Sequence, residues 1–340
     1  TAPETNTIAK PEAGATGAMA LSDATYLFRG SANDTGVGVE KIWYQITQSP
    51  SASADIADYT ELVTGGGWSF TRDFPTDIAE GLGYYLHVLA EDKAGNRNAA
   101  ATSVKFDVDL SNPVVTEVID TDTMQNRRES FELGGTATDS HGIDTVTITQ
   151  SFNGEEAIEI TGGLDLTPVG TGYTWTLEDL PRGNTEETIG DPSTVNGTYE
   201  YKITTTDLVG KTHTITRRIR FDSVGPEIEF TAPAEGGWSS NTTVTVKGLA
   251  TDLTAVGGVY YSTAASAPAV PVAPDADADW TDLGWLVAGG SFGSWEIELS
   301  GLAEGRYGVW VSAMDTNGNT TAAIQGVFGV DTALPTQTNV

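Results

Sequence analysis

The chain has 340 residues and a formal net charge of −30, from 47 acidic and 17 basic residues, and it contains no cysteine. So acidic a protein lacks the basic footprint that nucleic-acid binding needs, and without cysteine it has no disulfides and no thiolate chemistry. No stretch reaches the roughly 18 consecutive apolar residues of a membrane-spanning helix, so the sequence does not predict insertion into a membrane by a helix.

Residues 1–110 are predicted to form the first of three similar units. The segment GSAND, which ends at Asp34, is followed by the strand-like run VEKIWYQI and then by the aromatic strand WSFTRDF. Apolar residues then alternate from position 84 to position 90, a period that indicates a strand with one buried face. That strand leads into the loop AEDKAGN, which contains Asp92, and the unit closes with DLSNP, whose first aspartate is Asp109.

The same signatures recur in the same order in residues 111–223, the second predicted unit. GTATD ends at Asp139, YTWTLEDL is the aromatic strand, ITTTDLVGK contains Asp207, and DSVGP begins at Asp222. This unit departs from the first in one respect, because its loop ends in Lys211 where the first unit has an asparagine.

Residues 224–333 are predicted to form the third unit. GLATD ends at Asp252, WEIELSGL is the aromatic strand, VSAMDTNGN contains Asp315, and DTALP closes the unit. The proline of each closing motif stands at the same distance before the next strand. Residues 334–340 are therefore predicted to begin a further unit or to form a strand added to a neighbouring subunit, which would assemble chains head to tail.

Several signatures in a fixed order define a repeat of about 110 residues. Each unit holds about seven strand-like runs, and a tyrosine opens the sixth of them, as in the tyrosine corner of immunoglobulin folds. The predicted fold is therefore all-β, with three tandem immunoglobulin-like β-sandwich domains in an elongated array. Proline restricts both itself and the residue before it, so Pro113 and Pro226 are expected to limit hinge motion between domains.

The G-x-A-x-D, A-x-D-x-x-G-N and D-x3-P elements together resemble the tandem bacterial Ig-like repeats of large secreted and cell-surface proteins, over essentially the whole chain. The resemblance implies an extracellular or cell-surface location. It also implies a non-catalytic structural or stalk array whose partners are flanking domains of the same protein or neighbouring subunits. Two alternatives stay open: a ligand-binding adhesin that recognises a glycan or a protein, and an accessory region of a secreted polysaccharide-active enzyme.

Catalytic residues are not recognisable in the sequence. The three histidines, His87, His141 and His213, fall at different repeat positions, so each is interpreted as a structural or surface residue. No Ser-His-Asp arrangement and no phosphate loop is supported. The acidic segment PDADADW is not an EF-hand, because Trp280 and Leu286 stand where that loop needs Gly and Glu. It is interpreted as a solvated acidic loop.

Two tryptophans, Trp238 and Trp285, lie outside the shared aromatic strand on glycine-flanked segments. An exposed tryptophan can stack on a sugar ring, which would support the adhesin alternative. We expect instead that each of these side chains covers the end of its own sandwich, because large aromatic side chains contribute most when they are buried.

Three aspartate positions of the repeat are predicted to meet at each junction between units. In an immunoglobulin sandwich the loops after the second and sixth strands lie at the pole where the chain enters the domain. The G-x-A-x-D and A-x-D-x-x-G aspartates end those two strands, and the D-x3-P aspartate lies just before the entry point. The predicted clusters are Asp109, Asp139 and Asp207 at the first junction and Asp222, Asp252 and Asp315 at the second.

Three carboxylates that meet in this way repel one another unless a cation or hydrogen bonds compensate their charge. Calcium is the candidate cofactor at the junctions, because it takes roughly six to eight oxygen ligands and carbonyls and water can complete its shell. The other interpretation is local turn chemistry, in which the aspartates accept backbone N–H groups and glycine supplies a positive φ. Asp34 and Asp92 of the first unit are expected to bind calcium poorly.

Overall fold

The computed structural model describes residues 1–11, 19–63, 66–117, 123–180, 195–271, 279–291 and 293–335. Six β-sheets pack in three pairs within these residues, and each pair encloses its own hydrophobic core. The prediction of an all-β chain with three tandem immunoglobulin-like β-sandwich domains is therefore confirmed. Residues 336–340, for which the sequence predicts a further strand, lie outside the described residues, as does most of PDADADW.

In its described residues, the first sandwich contains eight strands and one short 3-10 turn, Ile56–Asp58. The strands are β1 (Thr5–Lys10), β2 (Met19–Leu21), β3 (Thr25–Asn33), β4 (Val39–Thr47), β5 (Thr60–Val63), β6 (Gly67–Asp73), β7 (Gly81–Asp92) and β8 (Thr102–Val108). They form a three-stranded sheet, β1-β3-β6, and a five-stranded sheet, β2-β8-β7-β4-β5. Phe28 and Trp68 of the first sheet share a core with Leu86 and Phe106 of the second.

The second sandwich repeats this plan with nine strands among the residues that the structure describes. They are β9 (Val114–Glu117), β10 (Gln125–Arg127), β11 (Phe131–Thr138), β12 (Ile143–Phe152), β13 (Ile158–Glu159), β14 (Leu164–Val169), β15 (Gly172–Leu180), β16 (Gly197–Asp207) and β17 (Thr212–Phe221). The sheets are β14-β15-β11-β9 and β10-β17-β16-β12-β13. Trp175 and Leu133 of the first sheet pack in one core with Ile148 and Tyr201 of the second.

The third sandwich also has nine described strands. They are β18 (Glu227–Ala232), β19 (Trp238–Ser239), β20 (Val244–Thr251), β21 (Val256–Ser262), β22 (Leu286–Val287), β23 (Gly289–Ser291), β24 (Ser294–Leu299), β25 (Gly305–Asp315) and β26 (Ile324–Val330). The sheets are β18-β20-β24-β23 and β19-β26-β25-β21-β22. Trp295 and Val246 pack in one core with Val311 and Phe328.

Strand pairing explains the glycine of the G-x-A-x-D motif. Gly30 pairs with Trp68 across β3 and β6, and Gly248 pairs with Trp295 across β20 and β24. A β-carbon on Gly30 would lie 2.3 Å from the Trp68 ring, and one on Gly248 would lie 2.1 Å from the Trp295 ring. Only glycine therefore leaves room for the core tryptophan at this position, and the motif aspartate follows where the strand ends.

The predicted tyrosine corner is present in the second and third sandwiches. The Tyr199 hydroxyl donates a hydrogen bond to the Val195 carbonyl at 2.6 Å, and the Tyr307 hydroxyl donates to the Ala303 carbonyl at 2.8 Å. Burial raises the pKa of Tyr199. These bonds fix the beginnings of β16 and β25, which carry the loop aspartates at their opposite ends.

Candidate metal centres at the domain junctions

The loop AEDKAGN folds around the carboxylate of Asp92. Its Oδ1 accepts hydrogen bonds from the backbone amides of Ala94 and Asn96, both at 2.8 Å. The Asn96 side chain donates to Oδ2 at 2.8 Å, and this bond lowers the pKa of Asp92. Gly95 takes a φ of 83°, a conformation that glycine adopts without steric cost. The carboxylate thus accepts three hydrogen bonds from its own turn.

The equivalent loops of the other two sandwiches use Oδ1 in the same way. Asp207 Oδ1 accepts the amides of Val209 and Lys211, both at 2.9 Å, and Asp315 Oδ1 accepts the amide of Asn319 at 2.8 Å. The Asn319 side chain also donates to Asp315 Oδ2. Lys211 replaces this asparagine in the second sandwich, and Asp207 Oδ2 is buried without a hydrogen-bond partner. Hydrogen bonds within the turn therefore satisfy Oδ1 of both aspartates but leave Oδ2 of Asp207 without a partner.

Backbone hydrogen bonds hold each of these loops against the loop that follows the G-x-A-x-D strand. The amide of Leu208 donates to the Gly142 carbonyl at 3.3 Å, and the amide of Thr316 donates to the Ala255 carbonyl at 2.8 Å. The aspartates that end the two strands are therefore brought to the same pole of their sandwich.

The linker aspartate is anchored in the preceding sandwich by its own backbone. The Asp109 amide donates to the Leu21 carbonyl at the end of β2, at 2.9 Å, and the Asp222 amide donates to the Arg127 carbonyl at the end of β10, at 2.8 Å. Each linker carboxylate is therefore fixed to one domain and presented to the next.

The predicted carboxylates of the first junction lie together. One oxygen from each of Asp109, Asp139 and Asp207 lies within 4.8 Å of the others, and all three residues are buried. Asp139 Oδ1 accepts the backbone amide of His141 at 2.7 Å. Both Asp109 oxygens are buried without a hydrogen-bond partner, like Asp207 Oδ2.

A lysine and a histidine border this first cluster. Lys211 Nζ donates to the backbone carbonyl of Asp109 at 2.5 Å, and His141 Nδ1 lies 3.5 Å from Asp109 Oδ2. Burial raises the pKa of Asp109, His141 opposes the rise, and the neighbouring Asp139 and Asp207 carboxylates add to it. Burying an unpaired carboxylate is costly. A cation bound by the side-chain oxygens of the first junction would therefore stabilise the folded state.

The second junction brings together Asp222, Asp252 and Asp315, again with one oxygen of each within 4.8 Å of the others. Thr254 donates its amide to Asp252 Oδ1 at 2.9 Å and to Asp222 Oδ2 at 3.2 Å. Burial raises the pKa of Asp252 to about 7, the Thr254 hydroxyl opposes the rise, and a hydrogen bond with Asp222 adds to it. Hydrogen bonds from Thr254 and the raised pKa of Asp252 both reduce the charge repulsion in this cluster.

Direct contacts between domains also cross the second junction. Asn319 Nδ2 donates to the Asp222 carbonyl at 2.8 Å, and Arg128 Nη1 donates to the Asn317 carbonyl at 3.2 Å. The asparagine that closes the repeated loop thus contacts the linker. At the first junction, Lys211 occupies the position of this asparagine.

The first sandwich has the repeat aspartates without a full cluster. Asp34 Oδ2 accepts the Gly38 amide at 2.7 Å, and Asp92 is held in its turn. Among the residues that the structure describes, no third carboxylate or histidine joins these two in a metal-binding group.

The histidines fall into two kinds. His87 is buried with both ring nitrogens bonded, at 2.6 Å to the Ser103 hydroxyl and at 3.0 Å to the Ser49 carbonyl. His213 Nδ1 accepts the Val115 amide. His141 differs, because it lies at the first junction beside Asp109. In the sequence, its place two residues after the motif aspartate is what distinguishes it from the other two histidines.

The two tryptophans outside the shared aromatic strand differ in their burial. Trp285 is fully buried and donates to the Ala269 carbonyl at 2.9 Å, as predicted for a side chain that covers its own sandwich. Trp238 contradicts that prediction, because it is 57% exposed. The short strand β19 holds it beside β26, where the Arg306 guanidinium lies 4.8 Å from the ring centroid.

None of the helices among the described residues is long and apolar enough to cross a bilayer. No protein-family model and no curated protein matches the sequence. Similar solved structures include a Ca²⁺-stabilized adhesin with which an Antarctic bacterium binds ice. It has 18% identity and a TM-score of 0.33, and the match covers 97% of this chain and 74% of that one.

Two further similar structures differ widely in source. The tetra-tandem repeat in the extending region of a large adhesion protein has 18% identity and a TM-score of 0.34, with coverage of 92% and 71%. A marsupial T cell receptor has 10% identity and a TM-score of 0.40, with coverage of 91% and 97%. These values are too low to transfer a function to this chain.

Proposed function

We propose that this chain is a non-catalytic structural array of a bacterial extracellular or cell-surface protein, in which calcium ions fix the angle between neighbouring sandwiches. The observation that carries the proposal is the meeting of three carboxylates at each junction, with oxygens within 4.8 Å of one another. Its partners are the flanking domains of the same protein. Head-to-tail assembly through residues 334–340 stays a separate prediction.

The ligand chemistry suits calcium at the first junction. Calcium binds carboxylate and carbonyl oxygens in a flexible shell of roughly six to eight ligands. Asp109, Asp139 and Asp207 would hold it, and the two oxygens of Asp109 have no competing hydrogen bond. When bound, the ion supplies the positive charge that three buried carboxylates need.

Calcium binding at the second junction would be linked to protonation. Asp222, Asp252 and Asp315 would hold the ion, but at neutral pH Asp252 keeps part of its proton because its pKa is about 7. Metal ligands must be deprotonated, so binding releases this proton and strengthens as the pH rises.

The anchoring of the linkers turns such a site into a brace. The Asp109 backbone is bonded to the first sandwich, whereas Asp139 and Asp207 belong to loops of the second sandwich. An ion shared by these side chains would connect the two domains across the linker between β8 and β9. The same reasoning applies to Asp222 and the third sandwich, since its amide is bonded to the second.

Small-angle X-ray scattering on the metal-stripped chain, with calcium or with a chelator, tests this function. We expect calcium to sharpen the distance distribution toward one extended shape, and the Asp109→Asn, Asp222→Asn double variant to lose the effect. Asp34→Asn is the control, because Asp34 occupies the repeat position of Asp139 and Asp252 but lies outside both clusters. Identical scattering curves with and without calcium would contradict the proposal.

A further inference from the structure

A second group of possible metal ligands lies at the first junction and shares Asp109 with the aspartate cluster. Glu80, Asp109 and His141 each offer one ligand atom, and these atoms lie within 4.8 Å of one another. Glu80 precedes β7 in the first sandwich, Asp109 lies in the linker, and His141 follows β11 in the second sandwich. The group therefore spans the junction from domain to domain.

Unsatisfied polar atoms point to a ligand at this place. The His141 side chain is 4% exposed, and its Nε2 is buried without a hydrogen-bond partner. Asp109 is 0% exposed, and neither of its oxygens accepts a hydrogen bond. Buried polar groups are normally bonded, as both nitrogens of His87 are in the first sandwich.

Neighbouring hydroxyls hold two members of this group in place. The Ser111 hydroxyl donates to Glu80 Oε1 at 2.5 Å. The Ser140 hydroxyl lies 2.9 Å from His141 Nδ1, the nitrogen that also lies 3.5 Å from Asp109 Oδ2, so Nε2 is the ring nitrogen without a partner. Such outer contacts orient metal ligands and raise the affinity of the sites that they support.

The donor set selects the class of ion. One imidazole nitrogen with two carboxylates suits a borderline divalent transition metal such as Zn²⁺, whereas calcium takes oxygen ligands only. We propose that Glu80, Asp109 and His141 form a site for such an ion at the first junction. Asp109 belongs to both groups and has two free oxygens, so it can serve this ion and the calcium ion together.

The second junction is an internal control for this proposal. Thr254 stands at the position of His141, two residues after the motif aspartate, and Val195 stands at the position of Glu80, four residues before the repeated tyrosine. Both replacements remove a ligand, so the chain should bind one Zn²⁺ and not two.

The test is a Zn²⁺ titration of the metal-stripped full chain in competition with a chromophoric chelator. We expect one ion per chain for the wild type. Loss of an outer-shell partner costs about 10- to 100-fold in metal affinity, so removal of a ligand by His141→Thr or His141→Gln should weaken binding by at least about 100-fold. Asp252→Asn, at the other junction, should leave Zn²⁺ affinity unchanged.

Two readouts separate this proposal from the calcium proposal and from misfolding. Calcium should still bind His141→Gln at both junctions, because all six aspartates remain. In the wild type, Zn²⁺ should shift the ring nitrogen resonances of one histidine among the three. No Zn²⁺ binding to the wild type, equal affinity in His141→Gln, or no histidine shift on addition of Zn²⁺ would each overturn the proposal.

Discussion

The first and second junctions use the same repeat positions for their aspartates but differ at two neighbouring positions. Lys211 and His141 lie at the first, where the second has Asn319 and Thr254. At the first, the linker carboxylate Asp109 accepts no hydrogen bond, and Lys211 and His141 lie beside it. At the second, hydrogen bonds from Thr254 and the raised pKa of Asp252 reduce the charge repulsion. The repeat thus fixes where carboxylates meet, and two variable positions decide how their repulsion is relieved.

The largest expected effect is a difference in stability between variants of the two linker aspartates in the absence of metal. Asp109→Asn should raise the melting temperature in chelator, because it removes a buried charge that faces two other carboxylates. Asp222→Asn should lower stability by about 1 kcal/mol, because Asp222 accepts amide hydrogen bonds from Val224 and Thr254. Thermal denaturation followed by circular dichroism measures both. Equal changes in the two variants would remove the distinction between the junctions.

Calcium should then reverse the order of Asp109→Asn and the wild type. Binding to the native state alone stabilises it by about 2.7 kcal/mol per site at 100 times Kd. Each variant loses one site, so each should gain less from calcium than the wild type. A full calcium response in Asp109→Asn would show that this side chain is not a ligand.

The pH dependence of metal-free stability is the next effect. The folded pKa of Asp252 is raised to about 7, so the protonated form favours the folded state. Its contribution is fully present below the ordinary carboxylate pKa of about 4 and is lost as the pH rises through about 7. We expect the melting temperature in chelator to fall between pH 5 and pH 8. Asp252→Asn should flatten the slope, and an unchanged slope would contradict the assignment of the proton to this pair.

A smaller effect is expected from exchanging the residues that close the loops. Lys211→Asn should raise calcium affinity at the first junction about tenfold, because an ammonium group no longer competes with calcium for the carboxylates. Asn319→Lys should lower calcium affinity at the second junction by a similar factor. In chelator, Lys211→Asn should cost about 1 kcal/mol through the lost bond to the Asp109 carbonyl. Calorimetry measures the affinities, and changes of the same sign in both variants would contradict this account.

The fold and the two aspartate clusters could be predicted because they follow from repeated patterns. Alternation of period two places β7, β16 and β25, and the fixed order of motifs places their final aspartates beside the linkers. His141 could not be found in this way, since it occurs in one unit only. Trp238 was wrongly predicted to be buried, because its place beside β26 and Arg306 is set by contacts between distant segments that no local pattern reports.

Isothermal titration of Ca²⁺ into the metal-stripped chain tests the central claim most directly. The account predicts two calcium sites in the wild type, one in Asp109→Asn, one in Asp222→Asn and none in the double variant, with Asp34→Asn unchanged. Absence of binding at millimolar calcium, or two sites remaining in the double variant, would contradict the claim that the junction carboxylates are built to hold calcium.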